Sequence, residues 1–156
     1  MAVSEGTGRF GLWPVSAVWD GSCCLRIWFG KSDADSPLHP ELTEYLAGKR
    51  QSFSLFRSPA EEGDSVSARI YRVVAAIPYG ETQTYAEVAA AAGTHPRAVG
   101  AALRRNPTPI IIPCHRVVGK HGIGGFTPDI RIKEDLLKLE SAAVKQKTVI
   151  NRRNKL

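Results

Sequence analysis

The sequence predicts a mixed α/β (α+β) protein. A small N-terminal antiparallel sheet with one helix precedes a mainly helical second half that holds a helix-turn-helix and a reactive-looking cysteine. Three observations carry that expectation. Two segments rich in Val, Ile and Trp, "WPVSAVWDG" (13–21) and "CCLRIWF" (23–29), meet at Asp20-Gly21, a pair suited to a tight hairpin turn. Past residue 65 the apolar residues recur at helical spacing. Within that half, two short helices are joined by a turn containing Gly93.

Each element has its own signal. "PELTEYLAG" (40–48) reads as a short helix, with Pro40 in its first position and Gly48 past its end. "SFSLF" (52–56) alternates like a half-buried strand, and the polar "RSPAEEGDS" (57–65) reads as a linker. Val66, Ile70, Val73, Val74 and Ile77 mark a helix that Pro78-Tyr79-Gly80 ends. Thr84 and Glu87 form a capping-box pattern opening a helix that stops at Gly93. Pro96 opens the next helix, "PRAVGAALRR", which must end before Asn106-Pro107. "IIIP" (110–113) reads as a buried extended segment, and "GKHGIGG" (119–125) as a loop. In the last helix, "RIKEDLLKLESAAV" (131–144), Ile132, Leu136, Leu139 and Ala143 make one stripe. The expected organisation is a sheet-and-helix unit at 1–60, a second unit at 61–142 and a basic tail at 143–156.

With 156 residues, 43% hydrophobic and 23% charged, the chain suits one ordinary domain or two small ones sharing a core. It carries no secretory-type leader and no run of membrane-spanning length, so no membrane association and an intracellular, cytoplasmic location are expected. Three cysteines, an odd number, suggest a reducing compartment rather than a disulfide framework. The net charge of +6 is unevenly spread. Residues 1–80 carry 8 Lys/Arg against 9 Asp/Glu, whereas residues 81–156 carry 13 against 6. A basic half points to a polyanion, nucleic acid first, although five of its charges lie in 141–156, which reads as a solvated end.

The helix at 96–105 is crowded with the smallest side chains: Ala98, Gly100, Ala101 and Ala102. A mid-helix glycine costs about 1 kcal/mol relative to alanine, so something should require its smallness. Either another helix packs there at close range, or a nucleic-acid backbone does. Arg97 at the start and Arg104-Arg105 at the end favour the backbone.

Cys114 follows the apolar run directly, and by itself would be an inert packed thiol. His115 and Arg116 change that reading, because cationic or proton-accepting neighbours lower a thiol pKa. Adjacent side chains diverge, so a water would have to bridge Cys114 and His115. Glu140 is surrounded on its helix face by Leu136, Leu137, Ala143 and Val144. A carboxylate in such company needs a partner. Two stand open: His115, whose tautomer it would fix, or a lysine at the helix edge.

These residues resemble a known family. "PCHRV" (113–117) is similar to the active-site signature of the O6-alkylguanine-DNA alkyltransferases, the methylated-DNA–protein-cysteine methyltransferases. "IPYGETQTYAEVA" (77–89), "PRAVGAALRRNPTPIIIPCHRVVG" (96–119) and "GIGGF…IKEDLLKLE" (122–140) follow its order and spacing, and the resemblance spans roughly residues 10–141.

The resemblance implies DNA repair by a suicidal, stoichiometric transfer. The alkyl group of O6-alkylguanine, with O4-alkylthymine as a further substrate, would pass from flipped-out duplex DNA to Cys114. His115 would draw off the thiol proton through a water, and Glu140 would orient His115. Asn106 would brace the turn before Cys114, and Tyr85 would reach a phosphate and protonate the leaving guanine. Arg97 would enter the base stack. Ala98, Gly100 and Ala101 would let the helix into the minor groove, with Thr94 and Lys120 on the backbone. Val117 would line the guanine pocket, with Phe126 and Thr127 as its lid. The implied partner is double-stranded DNA, the protein a monomer, and no cofactor is required.

Two departures stand out. Phe126 replaces a lid Tyr found in some members, and Cys23-Cys24 with His39 lacks a four-ligand pattern, so no zinc is expected. Two other readings compete. Alkyltransferase-like damage sensors bind DNA without transfer but lack the acceptor cysteine, and a Cys114-His115-Glu140 thiol hydrolase would turn over without needing the Arg97 helix.

Overall fold

The computed structural model describes residues 3–53 and 56–154, with the backbone alone for 147–154. Gly21, at φ +59°, makes the predicted turn between β2 (Trp13–Asp20) and β3 (Cys23–Trp28), which pair antiparallel with a bulge at Val18/Trp19. A strand without sequence warning, β1 (Ser4–Phe10), adds to the free edge of β2. Its "SEGTGRF" carries no apolar alternation, because its glycines serve close approach instead. A Cβ on Gly6 would fall 2.0 Å from the Pro37 carbonyl oxygen.

The sheet buries Val15, Ala17, Cys24 and Ile27 against Leu42 and Tyr45 of α1 (Pro40–Leu46). The expected strand at 52–56 is absent from the described part of that stretch, and Ser54 and Leu55 lie outside the described residues. Rings rather than a ladder bury it: Phe56 stacks on His39 at 4.1 Å and Phe53 leans on Tyr45 at 5.6 Å. Strand-like bonding occurs one residue later, where Arg57 bridges to Cys23.

In the second half, α2 (Val66–Ala75), α3 (Tyr85–Ala92) and α4 (Pro96–Arg104) share a core of Ile70, Val74, Val88, Val99 and Ala102. The Thr84–Glu87 capping box forms in both directions, and Gly93 closes α3 at φ +70°. Two residues on each side, β4 (Gln83–Thr84) and β5 (Val117–Val118), pair in parallel. That ladder fixes the start of α3 beside the chain leaving Cys114.

A further expectation is corrected. The "IIIP" segment is buried but not extended: it turns back on itself, with Pro109 bridged to Ile112 and Ile110 at φ +80°. For a β-branched residue that is a strained backbone, held by burial of all three isoleucines. The last helix runs further than its apolar stripe: α5 (Ile130–Asn154) continues through the basic residues after 142. Ile110, Ile111, Ile132 and Leu136 complete the core of the N-terminal sheet, so the two halves are packed on one another.

Candidate active site

Cys114 opens a single 3-10 turn (Cys114–Arg116) held from both sides. Asn106 Nδ2 donates to the Ile112 carbonyl at 2.9 Å, while its Oδ1 accepts from the Thr108 amide at 3.0 Å. The loop that delivers the cysteine is thus tied at its neck. Cys114 is 8% exposed and borders a cavity of about 60 Å³ shared with Leu103, Arg104, Asn106, Pro109, Phe126 and Thr127. Burial pushes the Cys114 thiol above its ordinary pKa; a side-chain hydrogen bond from Asn106 and the nearby Lys133 charge oppose that. The resting sulfur is therefore protonated at neutral pH, and reaction requires a base.

That base lies next in the chain. His115 is fully buried, and its Nε2 lies 2.6 Å from Glu140 Oε2. Burial holds the imidazole below its ordinary pKa even though Glu140 raises it, so the ring is neutral at pH 7. A neutral ring that donates from Nε2 leaves Nδ1 as its acceptor. Nδ1 is buried without a hydrogen-bond partner among the described residues. Of the two partners open to Glu140, the structure selects His115 over a lysine.

Glu140 gathers more than the sequence suggested. Arg116 grips it with two parallel bonds, Nε to Oε1 and Nη2 to Oε2, both 2.9 Å. The Gly80 amide donates to Oε1 at 3.0 Å, and the Tyr45 hydroxyl lies 2.5 Å from Oε2. Hydrogen bonds from His115 and Arg116 outweigh desolvation and hold this carboxyl well below the usual carboxylate range. Gly80 has to be glycine: its φ is +80°, and a Cβ would meet Val144 at 2.7 Å. Arg116 was expected beside the sulfur; its guanidinium instead serves Glu140 and the Ile77 carbonyl.

Sequence reasoning also missed Lys133. It is fully buried, donates to the Val117 carbonyl at 2.6 Å and the Gly125 carbonyl at 3.3 Å, and burial lowers its pKa to about 8. Its position beside Ile132 and one turn before Leu136, on the buried face of α5, was the available signal. Tyr45 sits similarly three residues after buried Leu42.

The other predicted residues fall into three places. Tyr85, half-buried at the start of α3, meets the glycine-rich loop, where a Cβ on Gly124 would fall 2.7 Å from its hydroxyl oxygen. Phe126 and Thr127 border the cavity, Phe126 also packing edge-on against Phe29 at 5.8 Å. The Val117 side chain belongs to the helical core, and its carbonyl holds Lys133. Arg97 and Lys120 are exposed, while Thr94, Ala98, Gly100 and Ala101 are half-buried along the turn and α4. The small residues divide by face. Ala102 is small because it packs inside, whereas a Cβ on Gly100 would meet nothing in the chain nearer than 3.9 Å.

Residues 65–142 match the family model described as 6-O-methylguanine DNA methyltransferase, DNA binding domain. Fold and site together thus define a class, the DNA-repair alkyltransferases. A protein named methylated-DNA–protein-cysteine methyltransferase from Archaeoglobus fulgidus is 40% identical over 136 residues, 80% of this chain and 90% of that one. Its namesake from Metallosphaera sedula is 41% identical over 108 residues, 69% of each chain. Among solved structures, the Mycobacterium tuberculosis O6-methylguanine methyltransferase superposes with a TM-score of 0.74 at 29% identity, covering 91% of this chain and 94% of that one. The same organism's protein in complex with DNA gives 0.74 at 30% identity, covering 89% and 93%. The chain belongs to the methylated-DNA–protein-cysteine methyltransferase family. It is a DNA-binding repair methyltransferase. Among the described residues, no helix is long and apolar enough to cross a membrane.

Proposed function

We propose that Cys114 accepts the alkyl group of O6-alkylguanine flipped out of duplex DNA, irreversibly and once per molecule. The observation that carries this reading is a buried thiol beside a cavity, followed in the chain by a neutral histidine locked to an anionic carboxylate. His115 Nδ1 takes the thiol proton by way of a water. Glu140 holds the ring through Nε2 and stabilises the imidazolium that forms. The thiolate then attacks the saturated carbon on guanine O6. The sulfur–carbon bond forms as the carbon–oxygen bond breaks, and the electron pair leaves on guanine. Tyr85, kept a neutral O–H donor by burial, protonates the departing ring and is re-protonated from solvent. The product thioether offers water no carbonyl and no easy leaving group, so the protein is consumed. This displacement calls for no metal or organic cofactor.

The remaining residues have roles around that step. Asn106 braces the turn, and Arg97 fills the space of the extruded base. Ala98, Gly100 and Ala101 let α4 into a minor groove only about 6 Å wide. Thr94 and Lys120 touch the backbone, and Phe126 and Thr127 form the lid of the guanine pocket; Val117, expected to line that pocket, instead packs its side chain in the helical core. The cavity of about 60 Å³ holds a water or two beside the sulfur, and Phe126 and Thr127 stand on its border where a lid belongs. Extruding the base costs a few kcal/mol, less for a modified base that pairs poorly. The protein works as a cytoplasmic monomer on double-stranded DNA, with the 1–60 unit supporting the 61–142 unit.

The test is to incubate the protein with duplex DNA carrying O6-methylguanine and weigh the peptide containing Cys114. Gain of one methyl group, abolished in Cys114→Ala while DNA affinity persists, is the expected result. An unmodified peptide with intact DNA binding would mean a damage sensor, and continuous ester hydrolysis would mean a thiol hydrolase.

A further inference from the structure

We infer that Tyr45, supplied by the N-terminal sheet-and-helix unit, is a positioning residue for alkyl transfer: its hydroxyl holds the Glu140 oxygen that in turn holds His115. The inference rests on the reading of Cys114 as alkyl acceptor. Tyr45 lies on α1, 95 residues from Glu140, and is wholly buried. Its hydroxyl oxygen lies 2.5 Å from Glu140 Oε2 and 3.3 Å from His115 Nε2. Glu140 divides its partners by oxygen. Arg116 Nε and the Gly80 amide occupy Oε1; Tyr45, His115 and Arg116 Nη2 share Oε2. Tyr45 therefore acts on the oxygen that anchors the imidazole.

Packing alone does not call for this hydroxyl. The ring fills its place against Phe53 and, edge-on, Tyr79 at 6.0 Å, which a phenylalanine would do equally well. A buried hydroxyl costs free energy unless it is used. Here it donates to a carboxylate, where a hydrogen bond is strongest. The charged and titratable groups facing this cluster are Glu140 and Lys133 from α5, His115 and Arg116 from the active-site turn, and Tyr79. Burial and the adjacent carboxylate keep the Tyr45 phenol neutral, so it is a fixed donor through the working pH range.

The consequence concerns the proton on His115. A donor on Oε2 disperses the carboxylate charge and weakens its pull on an imidazolium. Removing the donor concentrates that charge, favours the protonated ring and raises the pH at which the base is lost. One charge-assisted hydrogen bond corresponds to about one pH unit. For Tyr45→Phe, the acidic limb of the rate–pH profile should therefore move up by about one unit, and below the limb transfer should slow about tenfold.

The experiment measures the rate of methyl transfer from O6-methylguanine duplex to the full chain across about pH 5–9. It compares the wild type with Tyr45→Phe and with difluorotyrosine placed at position 45. The fluorinated phenol is a stronger donor of nearly the same size, so its limb should move down while that of Tyr45→Phe moves up. Opposite displacements support the inference, because a merely structural side chain would shift neither limb. Coincident limbs in all three proteins overturn it while leaving Cys114 as acceptor. Should Tyr45→Phe fail to fold, the fluorinated protein decides alone. Absence of methyl on wild-type Cys114 would sink the underlying reading, and this inference with it.

Discussion

Arg116→Met would leave Glu140 buried with its charge but without its cation. Glu140 is 1% exposed, and the guanidinium supplies two of its bonds at 2.9 Å, one to each carboxylate oxygen. The variant keeps the His115, Tyr45 and Gly80 contacts, all from groups that are neutral at pH 7. It also strips the Ile77 carbonyl of its 2.7 Å donor. Removing one partner of a buried ion pair typically costs about 3–5 kcal/mol. In a chain of this size 1 kcal/mol moves Tm by roughly 2–4 °C, so a fall of about 10 °C is expected at pH 7. The pH dependence supplies a second check. Wild-type Glu140 has its folded pKa depressed, so it contributes stability above the ordinary carboxylate range and loses it as pH falls below that range. In the variant burial acts with less opposition and the folded pKa rises, so protonation relieves the penalty. The Tm gap between the two proteins should narrow between pH 7 and about pH 4. Adding Glu140→Gln should recover part of the loss at pH 7. Thermal melts followed by circular dichroism measure all three. A fall of less than about 2 °C, or a gap constant with pH, would refute a buried charge held by Arg116.

Gly100→Ala should stabilise the fold by about 0.5–1 kcal/mol, since the added methyl meets nothing in the chain nearer than 3.9 Å and alanine favours helix. On the proposed minor-groove mode it should weaken duplex binding at least about fivefold by overpacking α4 against DNA, and unchanged affinity in a DNA titration would place that face away from the groove. Lys133 has its pKa lowered from 10.5 to about 8, so the folded state sheds its proton before the unfolded one does. The stability of wild type relative to Lys133→Met should therefore rise from about pH 8 to 10.5 in denaturant titrations; a difference flat with pH would mean the ammonium is not desolvated.

What the sequence disclosed and what it hid divide along local and long-range causes. Thr84, Glu87 and Gly93 act on neighbouring backbone, and the helix they bound is where they put it. Asp20-Gly21 set the hairpin for the same reason. The "IIIP" and "SFSLF" segments misled because apolar residues signal burial, not the way the backbone reaches it. Ile110 gets there through a positive-φ turn and Phe56 by stacking on His39. At the site, Cys114, His115 and Glu140 were legible because motif and helix stripe both marked them. Tyr45, Arg116 and Lys133 were hidden because each is polar, and its burial depends on a partner 16 to 95 residues away. Nothing local in "ELTEYL" says that a tyrosine hydroxyl from the first unit completes a carboxylate in the last helix.

The most direct test is a count. Titrating the protein with duplex labelled in the O6-methyl group should give a transfer that stops at one label per chain, all of it on Cys114 and stable to prolonged incubation. Label accumulating beyond one per chain, returning to solvent, or residing on another residue would contradict single, irreversible capture by that sulfur.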